Sequence, residues 1–192
     1  MQTSPRPDQG DLPAQPMREE VQRGRYLDEL ELDVRYRHAP GRTITEADDV
    51  LFTTATMNPQ ALHLDAAWCA TQPFGKPVVN SLFTLATLVG LSVGHLTQST
   101  TVANLGFEEV RFPAPMFHGD TLYAETVVLS TRLSASRPGQ GIARLEHTGR
   151  NQDGAVVAVA VRAALMWTSE GHARQTPLVP QTDGDRHHRK DA

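Results

Sequence analysis

One stretch of this chain gathers side chains able to hold and move a proton: Thr56-Met57-Asn58-Pro59-Gln60-Ala61-Leu62-His63-Leu64-Asp65. Imidazole is the side chain best suited to taking and returning a proton near neutrality. An amide such as Asn58 or Gln60 can hold a water molecule but cannot accept its proton. The chemistry open to the stretch is therefore acid-base work on water by His63, with amides as positioning groups. From spacing alone the blander reading of His63, a hydrogen-bonded structural residue between Leu62 and Leu64, is the commoner one. His118-Gly119-Asp120 also sets an imidazole near a carboxylate. It follows Pro113 and Pro115 at a strand entrance, where Gly119 and Asp120 read as turn residues. Cys69, in Ala66-Ala67-Trp68-Cys69-Ala70, reads as a buried inert thiol. No metal site is expected, since His187-His188 lies in a polar segment that offers no closed coordination sphere. A glycine-rich phosphate loop, a Gly-x-Ser-x-Gly elbow and a His-Glu-x-x-His pair are all missing from the sequence.

The elements that must carry these residues are legible from pattern. Arg25 to Val34 and the following residues read as an opening strand. Thr45-Glu46-Ala47-Asp48 reads as a helix start, with Thr45 as N-cap and an acid at the third helical position. That helix runs towards Met57, and Pro59 ends it. Asp65 can cap a second short helix through Ala66, Trp68 and Cys69. Asn80 or Ser81 then caps the one strong helix, Leu82 to Leu91, with Gly94 as its stop. Its apolar positions run around the whole circumference, which predicts a helix wrapped by other structure. Strand-like stretches follow: Val102–Phe112, Thr121–Leu129, Gly141–His147, then a turn at Asp153-Gly154 into Ala155–Val161. One buried helix followed by long antiparallel strands is an α+β arrangement, a curved sheet around a central helix. The hot-dog fold matches that order, and such a sheet completes its burial by dimerising.

With 192 residues, 39% hydrophobic and 21% charged, the chain has the size and composition of one globular domain. A net charge of -4 gives no reason to expect a nucleic-acid partner. A single cysteine excludes an intramolecular disulfide and a multi-thiolate metal site. The first twenty residues lack the apolar core of a signal peptide, and Leu82 to Val93 is too short and too interrupted to span a bilayer. The expectation is a cytoplasmic protein with no membrane partner. Residues 1–24 and 169–192 are expected to be disordered tails, flanking a domain over 25–168.

The run Gly41-Arg42-Thr43-Ile44-Thr45-Glu46-Ala47-Asp48, Phe52, Asn58 to Asp65 and Phe74-Gly75-Lys76-Pro77-Val78-Val79-Asn80-Ser81 resembles the MaoC-like enoyl-CoA hydratases. So does Val110-Arg111-Phe112-Pro113-Ala114-Pro115-Met116-Phe117-His118-Gly119-Asp120-Thr121, and together the likeness covers residues 40 to 168. The family's motif is Asp-x-Asn-Pro-x-His-x-Asp. Laid on this chain, its histidine falls on His63, its last acid on Asp65, its catalytic aspartate on Asn58 and its asparagine on Gln60. The departure at Asn58 leaves His63 as the acid-base group and Asn58 as the residue that orients water. The family's enolate donor is a backbone N–H in a His-Gly pair at the start of the central helix. Asn80-Ser81 stands there instead, and a backbone amide survives substitution, so the resemblance implies an oxyanion site at Ser81 with Asn80 beside it.

What the resemblance implies is a hydratase/dehydratase (hydro-lyase) acting on a short enoyl-CoA or 3-hydroxyacyl-CoA. Coenzyme A enters as part of the substrate, no cofactor is expected, and the assembly is a homodimer or a dimer of dimers. Thr56-Met57-Asn58, Val79-Asn80-Ser81-Leu82-Phe83-Thr84 and Thr101-Val102-Ala103-Asn104-Leu105-Gly106-Phe107 are similar to a branch acting on mesaconyl-CoA or itaconyl-CoA. That likeness implies a branched or dicarboxylic acyl group, whose free carboxylate needs a cation; Arg111 and Lys76 are the candidates. Two other readings stay open. A hot-dog acyl-CoA thioesterase would set an acid on the central helix, and none lies between Ser81 and Val93. A non-catalytic acyl-CoA-binding homologue would have lost its chemistry with the aspartate replaced by Asn58.

Overall fold

The computed structural model describes residues 20–174. Five antiparallel strands form one sheet: β1 (Arg35–Thr43), β2 (Thr101–Arg111), β3 (Thr121–Leu133), β4 (Gln140–Arg150) and β5 (Val156–Trp167), in the spatial order β1-β3-β4-β5-β2. Between β1 and β2 come four helices, α1 (Glu46–Ala55), α2 (Ala61–Leu64), α3 (Ala66–Cys69) and α4 (Ser81–Ser92), and a fifth, α5 (Ser169–Ala173), follows β5. The long helix α4 lies along the inner face of the sheet. This is the α+β hot-dog arrangement expected from the element order.

Local chemistry sets the helix starts. Thr45 accepts the Asp48 N–H, and the Asp48 carboxylate accepts the Thr45 N–H in return, so the capping box closes with an aspartate. Asp65 caps α3 by accepting from the Trp68 N–H at 2.9 Å. The first helix ends at Ala55, because Met57 takes a left-handed conformation at φ 57° ahead of Pro59. Three segments differ from expectation. Leu27–Glu29 forms a 3-10 turn, and the opening strand begins only at Arg35. Gly94 does not stop α4; the chain widens into a π-helical turn over Val93–Thr97, which places Leu96 in the core. Its end is closed by the incoming N-terminal segment, with Gly24 N–H on Gln98 O at 2.8 Å and Arg25 N–H on Leu96 O at 3.0 Å. A Cβ on Gly24 would stand 2.5 Å from the Thr97 nitrogen, so this contact demands glycine.

The tail boundaries also shift. Residues 1–19 and 175–192, with His187 and His188, lie outside the described residues. Residues 169–173, assigned to a tail, instead form α5. Asp28 holds its first turn through the Ser169 N–H at 2.8 Å, and His172 stacks on Trp167 while bonding the Tyr26 hydroxyl at 3.0 Å.

The central helix is not wrapped all round. Thr84, Leu88 and Ser92 are buried against the sheet, whereas Leu82, Ala86, Gly90 and Val93 are exposed. The edge strand β2, which has β5 as its one neighbour, also exposes apolar side chains: Val102, Leu105, Phe107 and Val110.

Beneath α4 the core has two parts. One contains Leu27, Tyr36, Leu96, Val128, Leu145 and Met166; the other contains Ile44, Val79, Leu88, Met116, Leu122 and Val157. Polar residues lie between them on the inward-facing rows of the strands: Thr126 on β3, His147 on β4 and Arg162 on β5. The Thr126 hydroxyl lies 2.8 Å from both His38 Nε2 and His147 Nδ1. Carrying one proton, it donates to one ring and accepts from the other. Burial, then the neighbouring His95, pushes His38 down to about 4. Burial, then Arg162 and His38, pushes His147 down to about 3.

Both imidazoles are therefore neutral in the fold and protonate more readily once unfolded. Below about pH 6.5 the unfolded chain binds the extra protons, so their contribution to stability is complete above that pH and fades as pH falls towards 4 and 3. Urea unfolding at about pH 7.5 and about pH 5 should show lower stability at the acid value. Replacing His38 and His147 together by Gln should flatten that difference. An equal difference in the double variant would show that these rings do not set it.

Candidate functional site

The segment that joins α3 to α4 ties the site together. Val78 N–H bonds Leu62 O at 3.1 Å, Val79 N–H bonds Met116 O at 2.9 Å, and Asn80 N–H bonds the Asp49 carboxylate at 2.8 Å. The Val78 carbonyl lies 2.6 Å from His63 Nδ1. A carbonyl can only accept, so His63 carries its proton on Nδ1 and turns a bare Nε2 lone pair outward. His63 is itself buried, on the last turn of the short helix α2. Behind that helix the Cys69 thiol, also buried, lies 3.4 Å from the Ala61 and Leu62 carbonyls, so it serves as packing.

A cavity of about 300 Å³ opens beside this strap. Leu62, Phe74, Val78, Val79, Phe112 and Val157 give it an apolar lining, and Ser81 and Thr84 from the first turn of α4 are its polar members. Ser81 is the first helical residue, after the N-cap Asn80. Among the described residues no acceptor takes its N–H, and the helix dipole favours negative charge there. A larger groove of about 840 Å³, between Glu20–Arg25, Glu29 and His95, lies at the other end of α4, away from His63 and Ser81.

The residues singled out from sequence divide accordingly. Ser81 lines the cavity, whereas His63 stands behind the strap, bonded to the Val78 carbonyl and next to the lining residue Leu62. Asn58 is half-buried, and its Oδ1 accepts the Gln60 N–H at 3.1 Å, turning the chain into α2. Gln60 is the exposed N-cap of α2, and its carbonyl takes the His63 N–H. Asn80 is buried: Oδ1 accepts from Leu82 N–H at 3.0 Å and Nδ2 donates to Thr53 Oγ1 at 3.2 Å, so its side chain caps the helix, and it is absent from the cavity lining. Arg111 does not reach the cavity; it is more than half exposed and pairs with Glu109 at 2.5 Å. Lys76 lies over the Phe117 ring at 4.0 Å, and that ring meets Phe74 of the lining.

The turn reading of Gly119 and Asp120 holds, with Gly119 at φ 91° and Asp120 accepting the Phe117 N–H. His118 is a different matter. Its Nε2 reaches the buried Asp49 carboxylate at 3.0 Å, a contact that the sequence reading missed. In the structure Asp49 and Thr53, four residues apart on α1, are both buried on the face turned to Asn80. No group of three or more potential metal-ligating side chains occurs among the described residues. No helix among them is long and apolar enough to cross a membrane.

With the geometry established, the comparisons with known proteins place it. The mesaconyl-CoA hydratase of Cereibacter sphaeroides is 27% identical over 162 residues, which is 84% of this chain and 47% of that protein. The chain thus spans about half the length of that relative. Among solved structures, the MaoC-like dehydratase from Rhodospirillum rubrum is 27% identical with a TM-score of 0.67, covering 76% of this chain and 98% of that one. A Mycobacterium tuberculosis protein described as having a double hotdog fold is 28% identical with a TM-score of 0.69, covering 85% of this chain and 49% of that one. The profile of the MaoC like domain matches residues 29–151, the stretch that holds α1 to α4, His63 and Ser81. The chain belongs to the MaoC-like domain family.

Proposed function

We propose that this protein adds water to, or removes it from, a short enoyl-CoA or 3-hydroxyacyl-CoA thioester. The observation that carries this reading is the His63 Nδ1 bond to Val78, which fixes the tautomer with Nε2 free as a base beside an apolar cavity headed by an unpaired helix N–H. His63 Nε2 takes a proton from water, and Asn58 helps to orient that water. The oxygen attacks the β-carbon, and the Ser81 N–H receives the charge that gathers on the thioester oxygen. Protonated His63 then returns its proton to the α-carbon. Run backwards, the same steps dehydrate the 3-hydroxyacyl thioester. No cofactor enters this scheme.

The acyl group is short, because about 300 Å³ leaves little room beyond a few carbons. The lining also favours an uncharged group over a dicarboxylic one. Among the described residues no cation lines the cavity, and Arg111 is engaged elsewhere. Purified protein given crotonyl-CoA should therefore consume enoyl absorbance faster than with mesaconyl-CoA. Release of free thiol would point to a thioesterase instead, and no change with either substrate would defeat the reading.

Two variants isolate the groups. His63→Asn keeps an N–H near the Nδ1 position for Val78 but has no base at Nε2, so turnover should fall by about a hundredfold or more with little change in melting temperature. Ser81→Pro removes the N–H at the first helical position, where proline is tolerated, and Asn80 at φ -56°, ψ 123° already suits a residue before proline. Its turnover should drop by about a hundredfold in a folded protein. Wild-type turnover in either folded variant would remove that group from the mechanism.

The exposed apolar residues on α4 and on the edge strand β2 support a homodimer as the working unit, since each leaves apolar surface without cover. Light scattering at micromolar concentration should give twice the chain mass, and a monomer would contradict this.

A further inference from the structure

Asp49 is the one acidic side chain that is buried among the described residues. Burying a carboxylate is costly unless its oxygens are paired, and α1 does not need it, since Thr45 and Asp48 already cap that helix. Both of its oxygens are used elsewhere. Oδ1 accepts the Asn80 N–H at 2.8 Å, and Oδ2 accepts from His118 Nε2 at 3.0 Å. Asn80 is thereby held at every polar atom. Its N–H is on Asp49, its Oδ1 on Leu82 N–H, its Nδ2 on Thr53 Oγ1, and its carbonyl on Thr84 N–H. With both peptide planes of Asn80 fixed, the next N–H, that of Ser81 at the cavity, has one direction to point.

We propose that Asp49, braced by His118, is a positioning residue that aims the Ser81 N–H at the thioester oxygen. This rests on the reading of Ser81 N–H as the enolate donor. Neither Asp49 nor His118 lines the cavity, so both act through Asn80 and neither exchanges a proton with substrate. The two pieces are 69 residues apart in the sequence, on α1 and in the segment between β2 and β3, and meet beside the start of α4.

The test compares Asp49→Ala, Asp49→Asn, His118→Leu and His118→Gln in the full chain. Asp49→Ala should lower kcat on crotonyl-CoA by about tenfold or more with KM held within about twofold, the pattern of a misaimed transition-state donor. Asp49→Asn keeps an oxygen for the Asn80 N–H and should recover to within about threefold of wild type. His118→Gln, which still donates to Oδ2, should resemble wild type, and His118→Leu should resemble Asp49→Ala; this pair decides if Asp49→Ala does not fold. Wild-type kcat in folded Asp49→Ala or His118→Leu, or equal losses in Asp49→Ala and Asp49→Asn, would overturn the proposal. The Ser81 amide resonance, followed while butyryl-CoA is added, separates the two ideas. If the wild type fails to hydrate crotonyl-CoA but its Ser81 amide still shifts, and that shift is lost in His118→Leu, the hydratase reading falls and the positioning role stands. A shift unchanged in His118→Leu would overturn the positioning role.

Discussion

The arrangement turns on the carbonyl of Val78. By accepting the His63 Nδ1 proton at 2.6 Å it selects the tautomer, orients the ring and anchors α2 to the approach of α4. A buried carbonyl needs a donor and a buried imidazole needs a partner, so one bond meets both requirements. The adjacent amides of Val78, Val79 and Asn80 are each spoken for by a different part of the chain: Leu62, Met116 and Asp49. Three consecutive peptide groups thus serve as the reference against which the base and the helix start are both set. This is how a rigid site is made from short helices that would be marginal in isolation.

Much of this was legible in the sequence because the governing signals are local. Thr45 and Asp65 are caps of the expected type, and the alternation in Gly141–His147 reports directly which side of β4 faces inward. His63 and Ser81 could be named from the family resemblance, the one from its motif and the other from the place of the family's His-Gly pair. What the sequence could not deliver were relations across long separations. His118 and Asp49 are 69 residues apart, and nothing near either one announces the other. Arg111 looked available for a carboxylate, yet the regular alternation at the end of β2 sets it on the same face as Glu109, with which it pairs.

The central helix shows the other limit. Its all-round apolar sequence was read as burial on every side, whereas one chain covers a single stripe, Thr84-Leu88-Ser92. Periodicity reports how much surface seeks cover, not whether the cover comes from the same chain. The ends of the domain were misplaced for a related reason. The polar composition after Trp167 reads as a tail, but Ser169 and His172 use that polarity to fasten α5 to Asp28 and Tyr26 within the domain.

The polar layer of Thr126, His147 and Arg162 divides the hydrophobic interior into two compartments that share few direct neighbours. Energetic independence follows from that partition, since residues without common partners contribute nearly additively to stability. The compartment around Leu88, Leu122 and Val157 supports the cavity, while that around Leu96, Leu145 and Met166 supports the joined termini. Side chains behind the cavity can therefore change size, and with them the shape of the cavity, while the far compartment keeps the scaffold folded. A fold insulated in this way can diversify its substrates without renegotiating its stability each time.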